Sequence, residues 1–324
     1  MAAMKELSPV GKTGLRVPKL CFGTSGLGDM PGTYGYSVST DQAKATLKAI
    51  FAGPVPFLDT SRIYGDGRSE ARIGETLKEI GGLPDGFIIS SKVDRDFSTG
   101  AFDGPRVRRS FEESLKAMGV DRIPILHLHD PEYAPNFADV TKPGGGLAEL
   151  FKIRDEGLVD AVGLAAGKVE MMMPLLADWD FDTIITHNRF TLVSRHAEEM
   201  IDFCVGKGIA VMNAAPYASG VLAQGAAQTT RYAYQDAPPQ ILEAVRKIEE
   251  VCARHRVPTG AAALQFSMRD KRIASTVIGV TKPERIAQTL EWANWPIPEV
   301  AWDELYALPF TRDDPEASRK YTRG

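Results

Sequence analysis

Cysteine is scarce in this sequence. The chain has three cysteines in 324 residues, Cys21, Cys204 and Cys252. Their number is odd, they are widely spaced, and none belongs to a CxxC or Cys/His ligand pattern, so neither a disulfide framework nor a zinc site is implied. This usage fits a reducing compartment best, and we expect no metal site.

Long apolar segments are also lacking. Nowhere does the sequence run for about 18 apolar residues, the length that a membrane-spanning helix needs. Residues 1–15 contain no apolar stretch of the kind found in secretory signal peptides. We therefore expect a cytoplasmic protein that makes no contact with a membrane.

Neither sign of charge dominates the chain. Lysine and arginine total 38, aspartate and glutamate total 42, and the formal net charge is −4. No stripe of basic residues with interleaved aromatics is present, which argues against a nucleic-acid partner. We expect a small-molecule substrate as the partner, and a monomer or a homodimer.

Short apolar runs recur along the chain at intervals suited to β-α units. Eight of them predict strands, at 19–24, 57–61, 88–93, 125–130, 161–166, 183–188, 209–214 and 275–280. Apolar strands that alternate with helices indicate a parallel sheet covered by helices. Eight repeats favour closure into a (β/α)8 barrel, an α/β fold of the TIM-barrel type. Because 44% of the residues are hydrophobic, we predict one domain over residues 1–324.

Apolar residues at three- and four-residue spacing predict the helices between these strands. They fall at 40–50, 71–80, 111–118, 147–153, 171–176 and 200–205, with a final helix over 282–292. Residues 8–18 predict a small β-hairpin that plugs the bottom of the barrel.

Other segments predict long loops at the mouth of the barrel, on its C-terminal face. Residues 21–28 imitate a dinucleotide-binding turn weakly, and no helix pattern opens on their glycines, so they predict a mouth loop. Residues 215–238 are rich in small and polar residues, as lids and ligand-binding loops often are. The tail at 316–324 either drapes over the mouth or is disordered.

Polar residues stand at the ends of three consecutive predicted strands. Asp59, Lys92 and His129 each lie at or near a strand end, and Tyr64 follows in the loop after the first of these strands. In a parallel barrel the C-terminal strand ends share one rim, where catalytic residues cluster. We therefore predict that these four side chains meet in one active site.

These residue types suit proton transfer during oxidation of an alcohol or reduction of a carbonyl. A phenol has an ordinary pKa of about 10 and is poorly ionised at neutral pH. We expect Lys92, held by Asp59, to lower the pKa of Tyr64 so that the phenol acts as acid and base. His129 would orient the substrate oxygen by a hydrogen bond.

Five blocks of sequence, in order along the chain, resemble the aldo-keto reductase family. They are LDTSRIYGDGRSEARIGETL, SSKV, HLHDPE, IRDEGLVDAVGLAAG and VIGVTKPERIAQTLEWA, at 58–77, 90–93, 127–132, 153–167 and 277–293. The resemblance implies a (β/α)8 barrel that binds NAD or NADP across its mouth. It also implies an Asp, Tyr, Lys, His tetrad at Asp59, Tyr64, Lys92 and His129.

The resemblance further implies ligand-binding positions. Cofactor contacts would come from Gly23, Thr24, Asp59, His187, Asn188, Ala214, Ala215, Pro216, Ser219, Gly220, Leu222, Ile278, Gly279, Val280, Thr281, Arg285, Gln288 and Thr289. Substrate contacts would come from Tyr64, His129, Asp130 and Tyr217.

The chain departs from the common family pattern around the nicotinamide. Ala165-Ala166 replaces the usual Ser-Asn, and His187 replaces the usual glutamine. The usual stacking aromatic falls at Ala214, with Tyr217 three residues later.

Three blocks resemble one branch of the family more closely. HD at 129–130, HNRFTL at 187–192 and NAAPYASGVLAQG at 213–225 are similar to sugar dehydrogenases that oxidise L-fucose, L-galactose or D-threo-aldoses at the anomeric carbon. The resemblance implies oxidation of an aldose to a lactone. The Lys-Ser pair of NADPH users falls at Gly279-Val280, so we expect NAD to be accepted at least as well as NADP.

Other interpretations of the same residues remain. The runner-up activity is NADPH-dependent reduction of sugar-derived or other small aldehydes. Some barrels of this family are regulatory subunits that sense the redox state of the nicotinamide, although an intact tetrad weighs against that function. His127 and His129 could form a metal pair, and Lys92 could form a Schiff base.

Overall fold

Eight parallel strands form a closed barrel in the computed structural model, which describes residues 6–319. The strands of this range are β1 (Leu7–Pro9), β2 (Arg16–Pro18), β3 (Leu20–Gly23), β4 (Phe57–Asp59), β5 (Ile88–Val93), β6 (Ile125–His129), β7 (Ala161–Ala165), β8 (Thr183–His187), β9 (Ala210–Ala214), β10 (Arg231–Tyr232), β11 (Gln235–Asp236) and β12 (Ile273–Gly279). The barrel order is β12-β3-β4-β5-β6-β7-β8-β9. Each of the eight predicted strands is found, and the predicted (β/α)8 barrel is confirmed.

Helices follow the barrel strands and cover the outside of the sheet. Their bounds are α1 (Pro31–Tyr34), α2 (Thr40–Phe51), α3 (Arg68–Ile80), α4 (Gly104–Met118), α5 (Ala138–Thr141), α6 (Gly146–Asp155), α7 (Val169–Asp178), α8 (Glu198–Lys207), α9 (Val221–Gln224), α10 (Pro239–Arg254), α11 (Thr259–Arg269), α12 (Pro283–Ala293) and α13 (Glu299–Ala307). Short 3-10 helices lie at Ser25–Gly28, Pro131–Tyr133 and Ala218–Gly220. Within residues 6–319, no helix combines the length and the apolar character that crossing a membrane requires.

The seven predicted helices are present, but one prediction about them is wrong. The helix at 282–292 is α12, and it is not the final one, because α13 follows it. Pro298 starts α13, and Ala301, Trp302 and Leu305 bury a stripe at three- and four-residue spacing against α10. The helical spacing of these apolar residues is visible in the sequence, so α13 was predictable.

The predicted N-terminal hairpin is confirmed. β1 and β2 pair antiparallel, with Ser8 opposite Val17. Val10 and Val17 are buried in a cluster with Phe57 and Ile125, the inward-facing residues that begin two barrel strands. The hairpin therefore closes the N-terminal end of the barrel and leaves the C-terminal end open to ligands.

A close approach of two loops fixes the backbone at the mouth. Gly65, next to Tyr64, has φ +62°, and a Cβ there would overlap the carbonyl oxygen of Gly28. A Cβ at Gly28 would in turn lie 2.8 Å from the carbonyl carbon of Tyr64. Glycine at both positions lets the loop after β4 lie on the loop after β3, and this contact sets the height of Tyr64 above the barrel.

We predict that Gly65→Ala destabilises the protein far more than Gly81→Ala does. Both glycines have positive φ, but a Cβ at Gly81 meets nothing within 4 Å. Gly81→Ala should therefore cost about 1 kcal/mol, from backbone strain alone. Gly65→Ala adds a backbone clash and should cost more than about 3 kcal/mol. Urea unfolding of both variants measures the difference, and equal losses would show that the loop contact is not tight.

Candidate active site

Three neighbouring strands bring the predicted tetrad to one cavity. Asp59 ends β4, Lys92 lies near the end of β5, His129 ends β6, and Tyr64 stands in the loop after β4. All four line a cavity of about 410 Å³ at the C-terminal rim of the barrel. The structure therefore brings together the four side chains that the sequence singled out.

A buried ion pair lies at the centre of this group. Lys92 Nζ donates to Asp59 Oδ2 at 2.6 Å, to the carbonyl oxygen of Thr60 at 2.7 Å and to Tyr64 Oη at 3.3 Å. Lys92 is 1% exposed and Asp59 3% exposed, and Ser90 Oγ donates to the second oxygen of Asp59 at 3.0 Å. An ammonium that donates hydrogen bonds to three oxygens has no free lone pair on its nitrogen and is not a nucleophile. The Schiff-base interpretation of Lys92 therefore has no support here.

The expected lowering of the Tyr64 pKa is not found. Burial raises the pKa of Tyr64 well above its ordinary value, and the Asp59 carboxylate raises it further. The expectation is wrong because the phenol is buried, and burial opposes its ionisation more strongly than any neighbouring charge acts on it. Tyr64 is therefore a neutral phenol at neutral pH, able to donate a hydrogen bond or a proton to a substrate oxygen.

A carboxylate missed by the sequence analysis lies behind His129. Asp94 Oδ1 is 2.8 Å from His129 Nδ1, and Asp94 is fully buried. Its other oxygen accepts from Ser61 Oγ at 2.8 Å and from the backbone N–H of Ile63 at 3.0 Å. A usable signal was present, because Asp94 follows Lys92 by two residues and side chains in a strand alternate with period two.

Two carboxylates control the charge of His129. Burial alone would lower the pKa of His129, but Asp130 and Asp94 outweigh it and raise the pKa above its ordinary value. Burial likewise opposes ionisation of Asp94, yet His129 and Ser61 lower the pKa of this carboxyl. His129 Nε2 points away from Asp94 and lies 3.8 Å from Asp130 Oδ1, whose side chain also lines the cavity.

His127 serves the packing of the barrel interior. It is fully buried, and its Nδ1 lies 3.3 Å from Ser90 Oγ. Burial and the neighbouring Lys92 hold the pKa of His127 well below its ordinary value. A Cβ at Gly163 would collide with this ring, so the glycine makes room for it. Over residues 6–319, no group of three or more His, Cys, Asp or Glu side chains could hold a metal ion.

Most of the expected cofactor positions line the same cavity. These are Gly23, Thr24, Asp59, His187, Ala214, Ala215, Ser219, Gly220, Ile278, Gly279, Val280, Thr281, Arg285, Gln288 and Thr289. Asn188, Pro216 and Leu222 are not among the residues that line it, and their role in cofactor binding stays a prediction. Leu222 packs in the apolar core, Pro216 is buried, and Asn188 Nδ2 donates to Glu316 Oε1 at 3.2 Å.

The cavity has features that fit a nicotinamide dinucleotide. It extends from the tetrad to the start of α12, where helix N–H groups without intrahelical partners favour phosphate oxygens. A Cβ at Gly279 would meet nothing within 4 Å, which leaves the end of β12 open. Arg285 lies on this wall and donates to Gln288 Oε1.

Tyr217 lies on the side of the cavity that α12 forms. Its ring packs edge-on against Trp292 of α12, with centroids 5.9 Å apart. Burial raises the pKa of Tyr217, and the nearby Arg285 opposes this rise. Tyr217 lines the cavity beside the predicted cofactor residues of α12, and its contact with substrate stays a prediction.

The C-terminal tail supplies a contact that sequence reasoning did not find. Glu316 Oε1 lies 3.1 Å from His187 Nε2 and accepts from Arg189 Nη1 at 3.0 Å. Arg319 stacks on the ring of Tyr234 at 4.2 Å and lines the cavity. The tail therefore drapes over the mouth as far as Arg319, and residues 320–324 lie outside the described range.

Comparison with known proteins identifies the family. The model of the aldo/keto reductase family matches residues 19–308. D-threo-aldose 1-dehydrogenase from a Pseudomonas species is 30% identical over 318 residues, covering 90% of this chain and 94% of the relative. Pyridoxal 4-dehydrogenase from Microbacterium luteolum is 29% identical over 342 residues, covering 93% and 96%.

A solved structure shows the same fold. The holo form of an aldo-keto reductase from Bacillus halodurans superposes with a TM-score of 0.76, covering 97% of this chain and 99% of that one at 17% identity. The solved structure shows the fold, and the family match shows that the protein is an oxidoreductase of a family that uses nicotinamide cofactors. The chain belongs to the aldo/keto reductase family. Its relatives at about 30% identity include an aldose dehydrogenase and a pyridoxal dehydrogenase.

We predict that Lys92→Met lowers the free energy of unfolding by about 3–5 kcal/mol, because it leaves the Asp59 carboxylate buried without its cation. Adding Asp59→Asn removes that charge, so the double variant should recover most of the loss. Guanidinium unfolding of the wild type, both single variants and the double variant gives the coupling free energy. Purely additive losses would mean that the pair contributes no interaction energy.

Proposed function

We propose that this enzyme oxidises an aldose at its anomeric carbon to the lactone, with NAD or NADP as the oxidant. The observation that carries the proposal is that Asp130 lines the same cavity as Tyr64 and His129 of the tetrad. Phenol, imidazole and carboxylate together offer donors and acceptors for several neighbouring hydroxyls. Asp130 in particular suits a polyol, since a carboxylate accepts from two hydroxyls at once.

Aromatic walls support a ring-shaped substrate. Tyr34 and Tyr234 line the cavity, with ring centroids 6.1 Å apart. Tyr234 has φ +68°, in the left-handed region that a bulky residue rarely adopts. Strain of about 1–3 kcal/mol that persists at a ligand cavity suggests a role in binding, here as an apolar face against the C–H face of a sugar.

In the proposed reaction, the C1–H bond breaks as hydride and the C1 hydroxyl loses its proton. A bound oxidised nicotinamide would supply the hydride acceptor, and its positive charge would favour the tyrosinate form of Tyr64, which is the form that can take the hydroxyl proton. Lys92 holds the phenol in place by its hydrogen bond, Asp59 holds Lys92, and His129 orients the substrate oxygen. A carbonyl at C1, the reduced cofactor and one proton result.

Similarity to D-threo-aldose 1-dehydrogenase supports this substrate class, since the two chains match over nearly their full lengths. Reduction of a small aldehyde is the second candidate. The raised pKa of Tyr64 favours it, because a neutral phenol is ready to give a proton to a carbonyl oxygen.

The α12 wall supports use of NAD. Gly279 and Val280 place no cation where a 2′-phosphate would lie in the resembling enzymes, and Arg285 remains. One missing charge-assisted hydrogen bond weakens binding of the phosphate by about 1.5–3 kcal/mol.

We predict that kcat/KM with NAD is at least equal to kcat/KM with NADP for the same substrate. Steady-state rates at 340 nm with saturating substrate and varied cofactor give both values. A preference for NADP of about a hundredfold would contradict the prediction, since Arg285 alone would then hold the 2′-phosphate well. Arg285→Ala should lower kcat/KM with NADP more than with NAD.

We predict that Tyr64→Phe lowers kcat on aldoses by at least about a hundredfold, because the phenol hydroxyl handles the proton. Cofactor affinity, measured by quenching of protein fluorescence, should stay within about twofold of the wild type.

The substrate panel contains D-threo-aldoses, other aldoses, pyridoxal and small aldehydes, each tested in the feasible direction. The panel separates the candidate functions. Turnover of aldoses above that of the other compounds supports the proposed substrate class, and turnover of simple aldehydes alone would support the reductase. Tight cofactor binding without turnover of any compound would point to a redox-sensing role. A Tyr64→Phe variant with full kcat would refute the role of the phenol.

A further inference from the structure

We propose that Asp94 is a positioning residue for proton transfer: it fixes His129 as a charged donor to the substrate oxygen and anchors the loop that carries Tyr64. The proposal rests on the proposed roles of Tyr64 and His129. Its geometric basis is a carboxylate that bonds to both the ring of His129 and the backbone before Tyr64.

The contact with the ring decides which nitrogen carries a hydrogen. Asp94 Oδ1 lies 2.8 Å from His129 Nδ1, and an ionised carboxylate can only accept. Nδ1 must therefore be the donor, which turns Nε2 toward Asp130 and the cavity. A buried carboxylate behind a histidine orients the ring and stabilises the imidazolium in other acid–base sites.

The contact with the backbone reaches Tyr64. Asp94 Oδ2 accepts from the N–H of Ile63 at 3.0 Å and from Ser61 Oγ at 2.8 Å. Ile63 directly precedes Tyr64, whose own N–H donates to the carbonyl oxygen of Ser61. One carboxylate thus sets the relative position of the two side chains that face the reacting oxygen.

The groups that face the His129 ring include one cation and two carboxylates. Lys92 faces the ring from β5 and opposes its protonation, although Asp59 lies 2.6 Å from the ammonium and offsets part of its charge. Tyr64 faces it from the loop after β4 as a neutral phenol, with ring centroids 5.8 Å apart. The remaining neighbours, Asp94 and Asp130, are both carboxylates.

His129 is therefore the charged hydrogen-bond donor that faces the substrate oxygen through its Nε2. In either direction of the reaction, the oxygen carries more negative charge in the transition state than in the alcohol or the carbonyl. An imidazolium N–H at that oxygen stabilises it, and Asp94 keeps the ring in the charged form. Removal of the Asp94 charge should lower the pKa of His129.

Asp94→Asn tests the proposal, since the amide keeps the shape and a hydrogen-bond acceptor but loses the charge. The C2 protons of the five histidines are followed by NMR against pH in the cofactor-bound protein, and His129→Gln assigns the signal. We expect the His129 titration to move to lower pH by about one unit or more. The alkaline limb of the kcat/KM profile should move in the same direction, because the imidazolium then loses its proton earlier.

Two further variants separate positioning from a general structural role. Asp96→Asn is the matched control, because Asp96 lies on the same loop and accepts from Ser98 and Thr99 without contacting the tetrad. It should move neither the titration nor the pH profile. Asp94→Glu retains the charge, so the alkaline limb of its kcat/KM profile should lie close to that of the wild type.

The outcomes are distinct. An Asp94→Asn variant that lowers kcat equally at all pH values, with an unmoved His129 titration, would overturn the proposal and leave Asp94 a structural residue. The NMR titration needs no substrate, so it remains decisive even if no aldose is turned over. A moved titration without aldose turnover would support the role of Asp94 and refute the proposed substrate class.

Discussion

The buried ion pair between Lys92 and Asp59 is the interaction on which the site depends. Two charges removed from water are tolerated when their hydrogen bonds are nearly complete, and here Thr60, Tyr64 and Ser90 complete them. The pair fixes the phenol but has no net charge to offer it. We propose that activation of the reacting oxygen comes instead from the Nε2–H of His129, a hydrogen-bond donor whose ring Asp94 holds in place.

Register in the barrel explains why so much of this site was predictable. Asp59 pairs in register with Ser90, and Lys92 with His127, so inward-facing residues of adjacent strands form layers. An inward-facing polar residue at the C-terminal end of an apolar strand therefore lies at the rim of the barrel interior. The eight strands, the hairpin and the meeting of Asp59, Tyr64, Lys92 and His129 followed from periodicity and strand ends alone.

The parts that could not be predicted depend on contacts between distant segments. Nothing near position 316 in the sequence indicates that its carboxylate meets His187. Leu222 and Asn188 match family positions, but residue types did not indicate that Leu222 packs in the apolar core or that Asn188 bonds to Glu316 of the tail. The direction of the Tyr64 pKa depended mainly on burial of the phenol in the folded protein, which residue types do not give.

The same principle of a buried carboxylate meeting several donors shapes the mouth. Burial alone would raise the pKa of Glu316, but His187, Arg189 and Arg319 lower it strongly. A carboxyl with a depressed pKa contributes stability above its ordinary pKa and loses it as the pH falls through the folded value. The tail is therefore held firmly at neutral pH, and its Arg319 supports Tyr234 from behind. The substrate end of the cavity is thus walled by residues far apart in sequence, held by charge, whereas the catalytic end is set by strand register.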